Sequence, residues 1–160
     1  MNTRRALAKG FTLVEILIVV VILGILAAIV IPQFSSASDA AKTGNLETQL
    51  RQLRSQITLY SNQHNGDYPD IITDWTELTQ FTDIDGNTNA TQTAVFAYGP
   101  YLMEEPTNPF TNSSTAAAAH NTANGWVYTI ADGTVRAVFD GTAAEAQALG
   151  LDTTNDVTTN

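Results

Sequence analysis

The 160-residue chain contains no cysteine. No disulfide can staple it, no thiol can act as a nucleophile and no thiolate metal site is available, so any exported body must hold by packing, helped at most by a metal or by assembly. Positive charge is also scarce: seven Lys and Arg stand against sixteen Asp and Glu, a formal net charge of −9. Three of the seven, Arg4, Arg5 and Lys9, fall in the first ten residues, and the next is Lys42. Residues 1–10 carry +3 and no acid, so without them the charge moves from −9 to −12 and only Lys42, Arg51, Arg54 and Arg136 remain. No basic stretch is left to track a phosphate backbone, which argues against nucleic-acid binding by the isolated body. The two histidines, His64 and His120, have no cluster of ligands around them in sequence and are expected in solvent rather than at a metal or a reaction centre. A phosphate-binding glycine loop and a hydrolase elbow are missing too. Glu104 and Glu105 are adjacent in an extended segment, so they point opposite ways, and no nucleophile accompanies them. The chain reads as a non-enzyme.

What is present is concentrated at one end. Residues 9–34 read KGFTLVEILIVVVILGILAAIVIPQF, and within residues 11–31 only Thr12, Glu15 and Gly24 interrupt the apolar run. As a helix these 21 residues span roughly 30 Å, one bilayer core. Basic residues stay on the cytoplasmic side, so the N-terminus is expected inside and the body outside. A secretory signal cut near Ala27 and Ala28 would have an unusually long apolar core. A plain membrane anchor fits the length and leaves Glu15 as an unexplained cost. Gly24 is a poor helix former and Pro32 cannot donate to the carbonyl four residues back, so the stretch between them is the weakest part of the helix.

The basic leader ending in Gly10, followed by Phe11, Glu15 and the apolar run, resembles the signal of type IV prepilins and type II secretion pseudopilins. That resemblance implies cleavage between Gly10 and Phe11 by a prepilin peptidase and N-methylation of the new amino terminus at Phe11. It implies that Glu15 neutralises the terminal amine of a neighbouring subunit during assembly. It also implies that the helix loosens between Gly24 and Pro32 inside a filament. The expected partners are further copies in a helical filament, the peptidase, an inner-membrane assembly platform with its ATPase, minor pilins or pseudopilins, and the lipid bilayer before assembly. The expected location is the inner membrane, crossed once, and then a periplasmic or cell-surface filament.

Beyond the apolar run, Leu46, Leu50, Leu53, Ile57 and Tyr60 recur at spacings of 4, 3, 4 and 3, the stripe of an amphipathic helix. Asn65-Gly66-Asp67-Tyr68-Pro69 ends it. A helix continuous over residues 11–62 would be about 78 Å long, so its front half must be covered by lipid or by copies of itself. Residues 125–140, GWVYTIADGTVRAVFD, read as a hairpin turning at Asp132-Gly133, with Trp126 opposite Phe139 and Tyr128 opposite Ala137. Its apolar face, Trp126, Tyr128, Ile130, Val135, Ala137 and Phe139, should pack on the helix stripe. A third strand is expected at residues 94–98, residues 111–124 as an exposed loop, and the tail from Asp152 as frayed.

The fold class is therefore α+β: a long N-terminal helix packed against a small antiparallel sheet. Its parts are expected to be a leader at 1–10, a transmembrane or filament-core helix at 11–34, and at 35–160 the C-terminal half of the long helix with a globular β-sheet head. In the resembling family, Tyr101-Leu102 followed by Pro106-Thr107-Asn108-Pro109-Phe110 is similar to the segment before the sheet in major pseudopilins, although Asn108, Pro109, Phe110 and Thr111 stand where an Asp-Pro-Trp-Gly run is typical. That segment and the missing cysteines favour a pseudopilin driving protein export over a type IV pilin for adhesion, motility or DNA uptake. A membrane-tethered ligand-binding module is the reading from another class. Calcium is a possible ligand, with Asp83, Asp85 and Asn87 alternating in one turn, without EF-hand spacing, and Asp132 and Asp140 available near the C-terminus.

Overall fold

The computed structural model describes residues 10–159, with the side chains of Pro32 and Ser35 set aside; residues 1–9, all but the last of the expected leader, lie outside it. The chain divides into two compact units between Ser38 and Asp39.

One 51-residue helix, α1 (Leu13–Gln63), contributes to both units. At 1.5 Å per residue it is about 77 Å long. Its backbone is helical through both Gly24 and Pro32. In the first unit, every large apolar side chain from Leu13 to Ile31 is at least 41% exposed. The apolar window of α1 is long and hydrophobic enough to cross a membrane, and none of it is buried against protein.

The second unit has a core built on the expected stripe. Leu46, Leu50, Leu53, Ile57 and Tyr60 are each no more than 2% exposed. Each such side chain contributes about 1.5–3 kcal/mol through removal from water. Past the end of α1, Asn65 takes a left-handed φ of 57° and the Gly66 N–H bonds back to the Ser61 carbonyl at 2.9 Å. This pattern satisfies carbonyls that the helix itself cannot. Helix α2 (Thr76–Thr79) then leads into a two-stranded antiparallel ribbon, β1 (Phe81–Thr82) with β2 (Thr88–Asn89).

The main sheet has the order β3-β4-β5-β6, formed by Ala116–Ala117, Trp126–Thr129, Thr134–Val138 and Val157–Thr158. A last short helix, α3 (Ala143–Ala148), lies between β5 and β6 in sequence. The α+β class is as the sequence indicates, but only the central β4–β5 pair is antiparallel; both edge pairs are parallel. Trp126, Tyr128, Val135, Ala137 and Phe139 share one core with the α1 stripe.

Four local expectations are corrected. The hairpin pairs Trp126 with Ala137 and Thr129 with Thr134, two residues away from the expected register, with a four-residue loop. Gly133 at φ 67° bonds its N–H to the Thr129 carbonyl, while the Asp132 carboxylate accepts the Thr134 N–H; this closes the wider turn and leaves Ile130 out of the core face. A shift of two preserves which residues face inward, because side chains alternate with period two. At residues 94–98 only Tyr98 forms a bridge, to Thr82; the third strand is instead Ala116–Ala117, inside the stretch read as loop. The tail is not frayed: Leu151 and Val157 are buried and β6 pairs with β5. His64 is buried, stacked on Tyr60 with ring centroids 3.8 Å apart.

Candidate functional site

The head of α1 is held by reciprocal bonds between Thr12 and Glu15. The Glu15 Oε2 accepts the Thr12 backbone N–H at 2.8 Å and its hydroxyl at 2.9 Å, and the Thr12 Oγ1 accepts the Glu15 N–H at 3.2 Å. Thr-Leu-Val-Glu is thus a capping box, a signal present in the sequence but absent from the reading above. Glu15 therefore has a structural role in a single subunit as well as a charge. A carboxylate near a helix N-terminus also suits the positive end of the helix dipole. The remaining oxygen, Oε1, has no hydrogen-bond donor among the described residues, so the group can cap the helix and still receive a cation. Phe11 is 79% exposed, and Gly10 has nothing within 4 Å of where a Cβ would stand. The structure thus brings Phe11, Thr12 and Glu15 together at one helix end, with an uncovered apolar helix beyond them.

In the body, buried polar groups knit the elements together. Asn108 is fully buried; its Nδ2 donates to the Gly125 and Val138 carbonyls at 2.8 and 2.7 Å, and its Oδ1 accepts the Phe110 N–H. The indole N–H of Trp126 reaches the Pro106 carbonyl, and that of Trp75 the Ser114 carbonyl. Gly125 is required by packing, since a Cβ there would collide with the Ser113 carbonyl. Arg54 ties the tail to α1, donating to Asp156 Oδ1 at 2.8 Å and to the Asn155 and Val135 carbonyls.

His64 joins the end of α1 to β1: Nδ1 lies 2.8 Å from the Tyr60 carbonyl and Nε2 2.9 Å from the Thr82 Oγ1. The carbonyl requires a proton on Nδ1, so in the neutral ring Nε2 accepts from Thr82. Tyr60 in turn donates to Glu77 at 2.7 Å, and burial together with that carboxylate raises its pKa. These contacts are structural; they bring no nucleophile or open substrate space to the ring.

The calcium candidates are separated. Asp83 accepts the backbone N–H groups of Asp85 and Asn87 and the Asn87 side-chain amide, and that amide holds its pKa below the usual range. Asp132 serves the hairpin turn, and Asp140 follows β5 at the rim of a cavity. Among the described residues no group of three or more acidic or histidine side chains is arranged for a metal ion.

Comparison with known proteins bears on the amino-terminal end. Residues 5–31 match the family described as the prokaryotic N-terminal methylation motif. The type IV narrow pilus major component PilA5 of Thermus thermophilus is 42% identical over 59 residues, 37% of this chain and 51% of that protein. Type II secretion system core protein G of Pseudomonas aeruginosa is 44% identical over 57 residues, 36% of this chain and 40% of that protein. The type IV major fimbrial protein FimA of Dichelobacter nodosus is 43% identical over 53 residues, 33% of this chain and 34% of that protein. The chain thus spans about half or less of the length of these relatives, which are named for pilus and secretion components rather than for catalysis. No solved structure matches the chain. The amino-terminal segment, with its methylation motif and apolar helix, is similar to that of proteins of the type IV pilin and type II secretion pseudopilin superfamily.

Proposed function

We propose that this chain is the precursor of a structural subunit of a pilus-like filament. It waits in the inner membrane, N-terminus inside and body outside, is cut between Gly10 and Phe11 by a prepilin peptidase, and is methylated on the Phe11 amine. An ATPase-driven platform then extracts it into a helical fibre together with minor subunits. The observation that carries this reading is the uncovered apolar helix of residues 13–31, headed by a carboxylate with an oxygen to spare. In lipid that charge is costly, and a neighbour's terminal ammonium relieves the cost on docking. The weaker hydrogen bonding expected between Gly24 and Pro32 gives the helix a place to stretch as it packs.

Within this reading we favour a type II secretion pseudopilin, on the lack of cysteine and on the Tyr101-Leu102 and Pro106–Phe110 segment. The type IV pilin is the second reading, supported by the pilus components among the relatives. Deleting the gene separates them: a pseudopilin is needed for protein export, a pilin for surface fibres.

Processing and pairing are tested together. Protein purified from native membranes is expected to begin at N-methylated Phe11 by intact mass and N-terminal sequencing; a start at Met1 would return the segment to a plain anchor. A bulky residue at position 10 should block cleavage. Glu15→Gln keeps an acceptor for the capping box but removes the charge, whereas Glu15→Ala removes both. Loss of filaments in both variants, with cleavage intact, supports charge pairing; normal filaments from Glu15→Gln would leave capping as the whole role of Glu15.

A further inference from the structure

Of the four cations outside the leader, three have partners in the chain. Arg54 is bound to Asp156, Arg51 lies 3.7 Å from Glu47, and Lys42 sits over the Phe110 ring. Arg136, half-exposed on β5 opposite Val127, has no ion pair or hydrogen bond among the described residues. Elsewhere in the body, a groove of about 500 Å³ runs between α1 and residues 102–107. Its lining is rich in acceptors: Glu104 has no side-chain partner among the described residues, Glu105 accepts only from Ser114, and the buried Gln49 Oε1 receives no donor. Beside it stands Met103, 96% exposed, the most exposed large apolar side chain among the described residues. An acceptor-rich groove with an unsheltered apolar rim fits a donor-rich cation on an apolar stem, and a guanidinium offers five donors.

We propose that this groove receives the Arg136 side chain of a second copy of the chain, with Met103 closing over the contact. The inference rests on the filament reading. Copies carrying −12 each repel one another, so a cation with no internal partner is best spent against a neighbour's acids. In the helical filament of that reading the contact runs head-to-tail, leaving a free groove at one end and a free Arg136 at the other. Such contacts propagate rather than close.

The absence of native cysteine makes the test direct. In assembled protein, the Glu104→Cys, Arg136→Cys double variant is expected to give a ladder of oligomers when treated with a short bismaleimide crosslinker, which spans the gap left by the two long side chains, and each single variant none beyond a dimer. Glu104→Arg combined with Arg136→Glu should restore the assembly that Arg136→Glu alone reduces. In the unaltered protein, Met103 should oxidise severalfold more slowly in filaments than in detergent-dispersed subunits, because sulfoxide formation follows exposure. Equal oxidation in both states, or dimers in place of a ladder, overturns the contact while leaving the filament reading intact. Failure of the unaltered protein to assemble overturns both, and is seen without any variant.

Discussion

The two halves of α1 share a backbone and little else. Residues 13–31 hold their apolar side chains in the open, whereas five positions between Leu46 and Tyr60 are sealed under a sheet. The first half has apolar residues on every side, and from Leu46 to Tyr60 all the large apolar residues but Leu59 fall in one stripe. A helix with a stripe is matched to a partner within its own chain; one apolar all round is matched to a surrounding medium or to many partners at once. The same secondary structure therefore answers to different forces in its two parts, and single substitutions should separate them.

The largest contrast is expected between Leu50→Ala and Val19→Ala. The first opens a cavity and should cost about 2–5 kcal/mol of body stability, read by urea unfolding of the full chain in detergent. The second should stay within about 0.5 kcal/mol in that assay, its effect appearing only in assembly. If both lowered body stability alike, the halves would not be independent in the way proposed. Asn108→Ala comes next: it leaves the buried Val138 carbonyl without that donor, at about 1–3 kcal/mol before relaxation, while the Gly125 carbonyl keeps the Val138 N–H. Arg54→Met should cost less, about 1 kcal/mol, because its partners are part-exposed and solvent screens the pair. Faster hydrogen exchange at Val157 is the sign that it is the tail which loosens.

The smallest effects concern exposed turn carboxylates. Hydrogen bonds from Asn87 to Asp83, from Thr134 to Asp132 and from Asn155 to Asp152 hold these acids below their ordinary pKa. Between the folded and unfolded values the unfolded chain binds more protons, so stability rises with pH there. The contribution is complete above the ordinary Asp value of about 4 and is lost as pH falls through the lowered folded values. A melting temperature that drops on acidification, with a shallower drop for Asp83→Asn, is the expected result.

The legible parts of the fold are those written in periodicity. The Leu46 to Tyr60 stripe and the inward face of β4 and β5 follow from spacings of 3.6 and 2, and the head of α1 from its unusual composition. The edges were hidden for a physical reason. Two-residue strands such as Ala116–Ala117 and Val157–Thr158 are too short to show alternation, and they owe their place to what flanks them: Gly125 against Ser113, and Arg54 against Asp156. The hairpin register depended on whether Asp132-Gly133 made a two- or four-residue loop, a choice settled by the Asp132 and Gly133 bonds. The burial of His64 came from its position at the helix end, facing Tyr60, Thr82 and Tyr101, which no local pattern declares. Two Thr-x-x-Glu boxes, at Thr12 and Thr142, were readable as motifs and start two of the three helices among the described residues.

The parallel pairing of β3 with β4 leaves residues 118–125 to make the return, and most of their side chains face solvent. A short epitope or fluorophore-binding peptide placed after Ala119 would lengthen an existing excursion without crossing the core. Because closing a longer loop costs little, this return offers a site for labelling the protein while leaving its stripe, its sheet and its amino terminus untouched.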